Sequence, residues 1–156
     1  MRKWISQTIT TNSQANEMIE LVEKLQPTVG AFDTETSGLH IIMDSPFLFQ
    51  FGFLHPTEPI GYTFAVDMVR QPILSRAVIE HWHKHAVKMR KYLAHNVKFD
   101  LNMLCNAGLA YQGTNLSDTQ FYIRHAHDHR TVKFGGPPLG LKDYCARYVM
   151  RSAKDH

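Results

Sequence analysis

The amino-acid sequence predicts one α/β domain, with a mixed β-sheet and helices on both of its faces. After a first helix-like segment, three strand-like segments follow one another, and strand-like and helix-like segments alternate after them, which is typical of a mixed sheet covered by helices. The 156 residues, 44% of them hydrophobic and 20% charged, suffice for a hydrophobic core and exclude a disordered chain. We therefore expect a single domain over residues 1–156.

Alternation and turn residues define the predicted strands. Phenylalanine occupies every second position from Phe47 to Phe53, which predicts a strand with one aromatic face. The strands are expected at Thr28–Glu35, Pro46–His55, Ile60–Val66 and Arg90–Ala94. The first three are expected to form a meander.

Capping and helix-stop residues bracket the predicted helices. Thr11 precedes an amphipathic segment, Pro72 suits a first helical turn, and Asp118 is a capping residue. Gly108 is a typical residue after a helix end. The helices are expected at Thr11–Leu25, Pro72–Met89, Val97–Ala107 and Asp118–His127.

The run from Val29 to Leu39 is an apolar strand that ends in two carboxylates, Asp33 and Glu35. Alternate residues of a strand point to the same face, so both carboxylates are expected together at its carboxyl end. Two like charges this close repel unless one protonates or a cation lies between them. The alternative is a solvated turn, where acidic side chains are simply exposed.

A second segment, Lys91–Asp100, predicts a short strand, a polar turn and a helix that carries Asp100 in its first turn. Ligands of open α/β sheets collect beyond the carboxyl ends of the strands. Three carboxylates at that edge predict a site for Mg²⁺ or Mn²⁺, which prefer oxygen ligands. Asp100 could otherwise serve only as a partner of the helix dipole.

These segments resemble motifs of the DEDD 3'-5' exonucleases, most closely the proofreading domain of family-A DNA polymerases. Asp33-Thr34-Glu35 resembles the first motif, Asp-x-Glu, and the stretch from Asn96 to Asp100 resembles the second, Asn-x-x-x-Asp. The resemblance implies a ribonuclease H-like fold with a five-stranded mixed sheet. It also implies metal-dependent removal of nucleotides from DNA 3' ends.

The resemblance assigns roles to individual residues. Asp33, Glu35 and Asp100 would be the catalytic carboxylates and would hold two Mg²⁺ or Mn²⁺ ions. Four further residues would contact the single-stranded 3' end: Thr34, Leu39, Asn96 and Phe99. Asn96 could also be only a turn residue or helix cap, and Leu39 and Phe99 could be plain core residues.

The fourth carboxylate of the family, in a motif Tyr-x-x-x-Asp or His-x-x-x-x-Asp, has no match in the sequence. No Tyr or His after the second motif has an Asp at the required spacing. We therefore expect a domain truncated before its last helix, or a ligand supplied from elsewhere. A polymerase domain in the same longer chain is the expected partner.

An incomplete site also leaves open a non-catalytic module that binds single strands. An RNA-trimming member of the same superfamily is a further alternative.

Histidines cluster twice, at His81, His83 and His85 and at the alternate residues from His125 to His129. Alternate helical residues lie on different faces, so a zinc site is not favoured and the histidines are expected to be solvated.

Composition sets the remaining expectations. The net charge of +3 permits nucleic-acid binding without proving it. Cys105 and Cys145 are the only cysteines, and no apolar stretch is long enough for a membrane span or a signal peptide. We expect a cytoplasmic protein with no membrane partner.

Overall fold

The computed structural model describes residues 3–127, 132 and 138–148. Its strands are β1 (Lys3–Ile9), β2 (Val29–Thr36), β3 (Pro46–Leu54), β4 (Ile60–Asp67), β5 (Lys91–Ala94) and β6 (Leu116–Asp118). Its helices are α1 (Asn12–Leu25), α2 (Pro72–Ala86), α3 (Val97–Asn106), α4 (Thr119–Ala126) and α5 (Leu141–Tyr148). The four predicted strands and four predicted helices are all present, with shifts of a few residues at their ends.

The strands form one mixed sheet in the order β1-β4-β3-β2-β5-β6. The strands β2, β3 and β4 are antiparallel neighbours, which confirms the meander. The strand β1 lies parallel to β4, and β5 lies parallel to β2. The α/β class with a mixed sheet is therefore confirmed, with six strands where the resemblance implied five. Sequence reasoning placed neither β1, an edge strand with little buried surface, nor β6, which has only three residues.

One face of the sheet is aromatic and buried. Phe49, Phe51 and Phe53 lie in the core, as the alternation predicted, whereas Phe47 remains 44% exposed. The helix α2 covers this face with Trp82, whose ring centroid lies 4.6 Å from that of Phe51. Aromatic packing thus determines which face of the sheet α2 covers.

The helix α2 also forms a hydrogen bond through the core. The Trp82 indole N–H donates to the Tyr92 hydroxyl over 2.7 Å, so both polar atoms are satisfied although the two residues are fully buried. Gly30 on β2 is needed for this packing, because a Cβ there would press against Met89 and Trp82. The start of β2 is therefore packed closely against α2 and the residues that follow it.

The opposite face of the sheet is open at its centre. Ala31, Asp33 and Glu35 point there from β2 and are exposed, and Gln50 and Gly52 of β3 are half-buried beside them. The two carboxylates of β2 therefore lie on a face that a substrate could reach.

The chain divides into two compact units, Met1–Ser117 and Asp118–His156. One domain over residues 1–156 stays a prediction. In the second unit, Asp118 caps α4 as expected, because its carboxylate accepts from the Gln120 N–H over 2.8 Å. No helix in the described part of the chain is long and apolar enough to cross a membrane.

The expectation of solvated histidines is wrong for His83 and His85, which are each only 8% exposed. Each packs against a different part of the chain: the His83 ring meets the Tyr111 ring edge-on at 5.2 Å, and the His85 Nε2 lies 3.4 Å from the Pro27 carbonyl oxygen. Burial lowers the pKa of His83 to about 4. His129, in the second cluster, lies outside the described residues.

His83 should make the fold sensitive to acid. Its pKa is about 4 in the folded protein against 6.5 unfolded, so the unfolded chain binds the proton first as the pH falls. This side chain alone should lower the free energy of unfolding by about 2 kcal/mol between pH 7.5 and pH 5. Urea titrations of wild type and His83→Phe at both pH values measure the difference. His81→Phe, at a more accessible position of the same helix, is the control, and an equal effect there would contradict the assignment.

Candidate functional site

Strand β2 carries the first two carboxylates of the candidate site to the carboxyl edge of the sheet. Asp33 and Glu35 point to the same open face, as the alternation predicted. In the antiparallel ladder Asp33 lies opposite Gln50, and Glu35 lies opposite Leu48. The pairing shifts register directly after Glu35, where the strand ends.

Asp100 reaches the same strand end from the first turn of α3 and is only 3% exposed. Its Oδ1 accepts two hydrogen bonds from Thr34, one from the backbone N–H over 3.0 Å and one from the hydroxyl over 2.6 Å. Hydrogen bonds to an ionised oxygen are shorter and stronger than neutral ones, and two of them offset part of the cost of burying the carboxylate. The two sequence motifs are therefore physically joined.

Thr34 makes a structural contact with Asp100, in addition to the contact with nucleic acid that the sequence predicts. Its side chain lies on the buried side of β2, and its hydroxyl donates to Asp100. A contact between Thr34 and nucleic acid stays a prediction.

The carboxylates also interact electrostatically. The pKa of Asp33 is raised to about 6, first by partial burial and then by the negative charges of Asp100 and Glu35. His95 and the Thr34 N–H lower this pKa, although by less. A cation would offset the repulsion between the carboxylates, and their oxygen atoms are the ligands that Mg²⁺ and Mn²⁺ prefer. The donor set therefore fits the expected metal.

The side chains of Asp33, Glu35 and Asp100 are not placed so that all three could bind one ion. Among residues 3–127, 132 and 138–148, no three His, Cys, Asp or Glu side chains are spaced to hold a metal ion. Glu35 accepts a long hydrogen bond, 3.4 Å, from the Gln50 side-chain amide. Metal binding by Asp33, Glu35 and Asp100 stays a prediction.

The other residues predicted to touch nucleic acid differ in exposure. Leu39 is 86% exposed, Asn96 is exposed and Phe99 is half-buried. Asn96 precedes α3 in the left-handed region with φ of 61°, a conformation that Asn tolerates better than most residues, and its side chain does not cap the helix. Of the three, Leu39 is therefore clearly not a core residue, and the contacts themselves stay predictions.

Sequence reasoning assigned no role to two neighbours of the carboxylates. Gln50 is the only polar residue of β3, which is the signal that could have marked it, and it faces Asp33 across the ladder. His95, at the end of β5, is close enough to lower the pKa of Asp33. Its place directly before Asn96 in the second motif was the available signal.

The model of a protein family described as 3'-5' exonuclease matches residues 6–156. The chain belongs to this 3'-5' exonuclease family. Comparison with curated proteins finds no match.

Several solved structures have a similar fold. The catalytic core of RRP6 from Trypanosoma brucei superposes with a TM-score of 0.61 at 16% identity, and RNase D from Escherichia coli with 0.58 at 18%. NrnC from Brucella melitensis, bound to pGG, gives 0.50 at 19%. These matches cover 92%, 93% and 96% of this chain but only 34%, 33% and 61% of the other chains. They confirm the ribonuclease H-like fold.

The bond between Thr34 and Asp100 should contribute measurably to stability. Thr34→Val keeps the shape of the side chain but removes the hydroxyl donor from a buried carboxylate, which should cost about 1.5–3 kcal/mol in the free energy of unfolding. Urea denaturation measures this loss. Thr63→Val, which removes a more exposed hydroxyl bond to Ser6, is the matched control and should cost less than about 1 kcal/mol. Equal losses in both variants would contradict a special role for the buried bond.

Asp33 should destabilise the metal-free protein at neutral pH. Its folded pKa of about 6 exceeds the unfolded value of 3.8, so the penalty is absent below pH 3.8 and complete above pH 6. Asp33→Asn should therefore raise the free energy of unfolding at pH 7.5 in EDTA by roughly 1 kcal/mol, a value reduced for partial exposure. Mn²⁺ should raise the melting temperature of wild type more than that of the variant. A variant less stable than wild type at pH 7.5 would contradict the raised pKa of Asp33, to which burial and the neighbouring charges both contribute.

Proposed function

We propose that this chain is a metal-dependent nuclease that removes nucleotides from the 3' ends of single-stranded DNA. The observation that carries the proposal is the juxtaposition of the two motifs. Asp100 is bonded to Thr34 from 66 residues away and raises the pKa of the adjacent Asp33. Membership of the 3'-5' exonuclease family supports the direction of digestion.

The carboxylates would act as metal ligands. Asp33, Glu35 and Asp100 would together hold two Mg²⁺ or Mn²⁺ ions. Ions bound in this way lower the pKa of water and stabilise the charge on a leaving oxygen. The Thr34 hydrogen bonds would keep the Asp100 carboxylate in one orientation before an ion arrives.

Contacts that ignore base identity suit a nuclease that trims any frayed end. The first motif is followed closely by Leu39, and the second motif contains Asn96 and Phe99. Apolar packing on the face of a base does not depend on which base it is. We propose that the chain serves as the proofreading part of a DNA polymerase and works in the cytoplasm.

RNA trimming is the second candidate function. The similar fold of RNase D belongs to a protein described as an exoribonuclease involved in structured RNA processing, which favours this alternative. DNA and RNA differ at the 2'-hydroxyl, so a direct comparison of the two substrates decides between them.

Digestion of end-labelled strands tests the proposal. Wild type with Mn²⁺ or Mg²⁺ should shorten a 5'-labelled single-stranded DNA from its 3' end. Asp33→Asn should slow the reaction at least about 100-fold, because an amide is a weaker ligand than a carboxylate for these ions. Glu58→Gln, which changes an exposed carboxylate in the turn between β3 and β4, should digest at the wild-type rate. Gel analysis of the product ladder measures both.

The outcomes separate the candidates. Faster digestion of a matched RNA would favour the RNA-trimming function. Binding of single strands by wild type without release of nucleotides under either metal would show a binding module and sink the nuclease proposal. Equal rates for wild type and Asp33→Asn would show that this site is not the catalytic one.

A further inference from the structure

The loop between β2 and β3, residues 37–45, has a fixed backbone. The Ser37 N–H donates to the Ser45 carbonyl over 3.1 Å and closes the loop at its base. The Asp44 carboxylate accepts from the Ser37 hydroxyl over 3.0 Å and from the His40 N–H over 2.8 Å. These hydrogen bonds close the loop on itself without a ligand, and a loop closed in this way loses less entropy on binding.

Gly38 is required for this closure. A Cβ at position 38 would collide with the Asp44 carboxylate, so the hydrogen bonds to Ser37 and His40 could not form in their present geometry. The only carboxylate of the loop is thus directed inward and used for closure.

Helix α3 holds the loop and the candidate site together. Its last residue, Asn106, donates its side-chain amide to the Ile41 carbonyl, while Asp100 in its first turn binds Thr34. The two ends of one helix therefore fix both the carboxylate-bearing strand end and the loop that follows it.

The loop presents apolar side chains to solvent. Ile42 is 82% exposed and Met43 is 78% exposed, which adds to the exposed Leu39. Ile42 also lines an open cavity of about 350 Å³, together with Pro46, Met68, Pro72, Arg76 and Asn106 among others. This volume lies at the lower end of the range for small-molecule sites. Both β2 and β4 are antiparallel to β3, so their carboxyl ends lie at the same edge of the sheet. The loop follows β2 and the cavity includes Met68 directly after β4, so both lie at the edge that carries Asp33 and Glu35.

We propose that Ile42 and Met43 form a preformed apolar platform for unpaired bases near the 3' end, and that Asn106 positions the loop that carries it. This inference rests on the proposed nuclease function and adds contacting residues beyond those expected there. The occupant is a nucleobase because the patch is small and continuous with the strand that bears the carboxylates. A base offers an apolar face to the platform and polar edges to the cavity wall.

Binding without cleavage tests the platform. The probes are a fluorescein-labelled single-stranded DNA and the same strand with abasic residues at its three 3'-terminal positions, both titrated in EDTA with anisotropy detection. Wild type should bind the intact strand about tenfold more tightly than the abasic strand, because only the former offers bases to the platform and to the neighbouring Leu39 and Phe99. The double variant Ile42→Ala/Met43→Ala should lose most of this preference, and the part that remains comes from the base contacts proposed for Leu39 and Phe99.

Two further variants distinguish contact from positioning. Val87→Ala, at a 41%-exposed aliphatic residue next to the far end of α2, should keep the tenfold preference. Asn106→Asp has nearly the same shape but cannot donate to Ile41, so it should lose part of the preference while retaining Ile42 and Met43. Circular dichroism melting curves verify that each variant is folded.

The result is separable from the nuclease proposal. If the double variant keeps the tenfold preference, or loses affinity equally for both strands, the platform is refuted even when wild type digests DNA. If wild type shows no preference between the strands, the platform is likewise refuted. If wild type digests no strand but the double variant loses most of the preference while Val87→Ala keeps it, the platform stands and the nuclease proposal fails.

Discussion

The site depends on one buried interaction, the double hydrogen bond from Thr34 to Asp100. A carboxylate that is 3% exposed would be costly without such partners. The bond requires Thr34 to face inward, and strand alternation then turns Asp33 and Glu35 outward on the open face. One contact therefore buries one carboxylate and exposes two, and it places all three at a single strand end.

The same arrangement works against stability. Partial burial first, and then the charges of Asp100 and Glu35, raise the pKa of Asp33, so ionisation of Asp33 at neutral pH costs stability without a cation. The hydrophobic core on the other face, where Trp82 packs on Phe51, supplies the rigidity that holds these charges close. The aromatic core therefore offsets the cost of bringing Asp33, Glu35 and Asp100 together at one strand end. This division is expected where a functional site is built on a stable scaffold.

Local patterns predicted most of the fold, and long-range packing explains the remainder. The period of two put Asp33 and Glu35 on one face, and Asp118 was correctly expected as a helix cap. The bond from Thr34 to Asp100 spans 66 residues, and no local pattern encodes such a pairing. The burial of His83 was missed for a related reason, since the aromatic rings that enclose it come from distant segments, including Tyr111. Contact between the carboxylates and metal or nucleic acid stays a prediction.

Helix α3 connects the carboxylate-bearing end of β2 to the loop that follows it. Asp100 in its first turn and Asn106 at its last residue both bond to the chain segment that runs through the end of β2 into the following loop. Because a helix is stiff along its axis, a shift of the loop at Ile41 would be resisted at Thr34 as well. A base seated on the loop would then be held in register with the carboxylates. Digestion from an end requires that register, since the scissile phosphate lies a fixed distance from the terminal base.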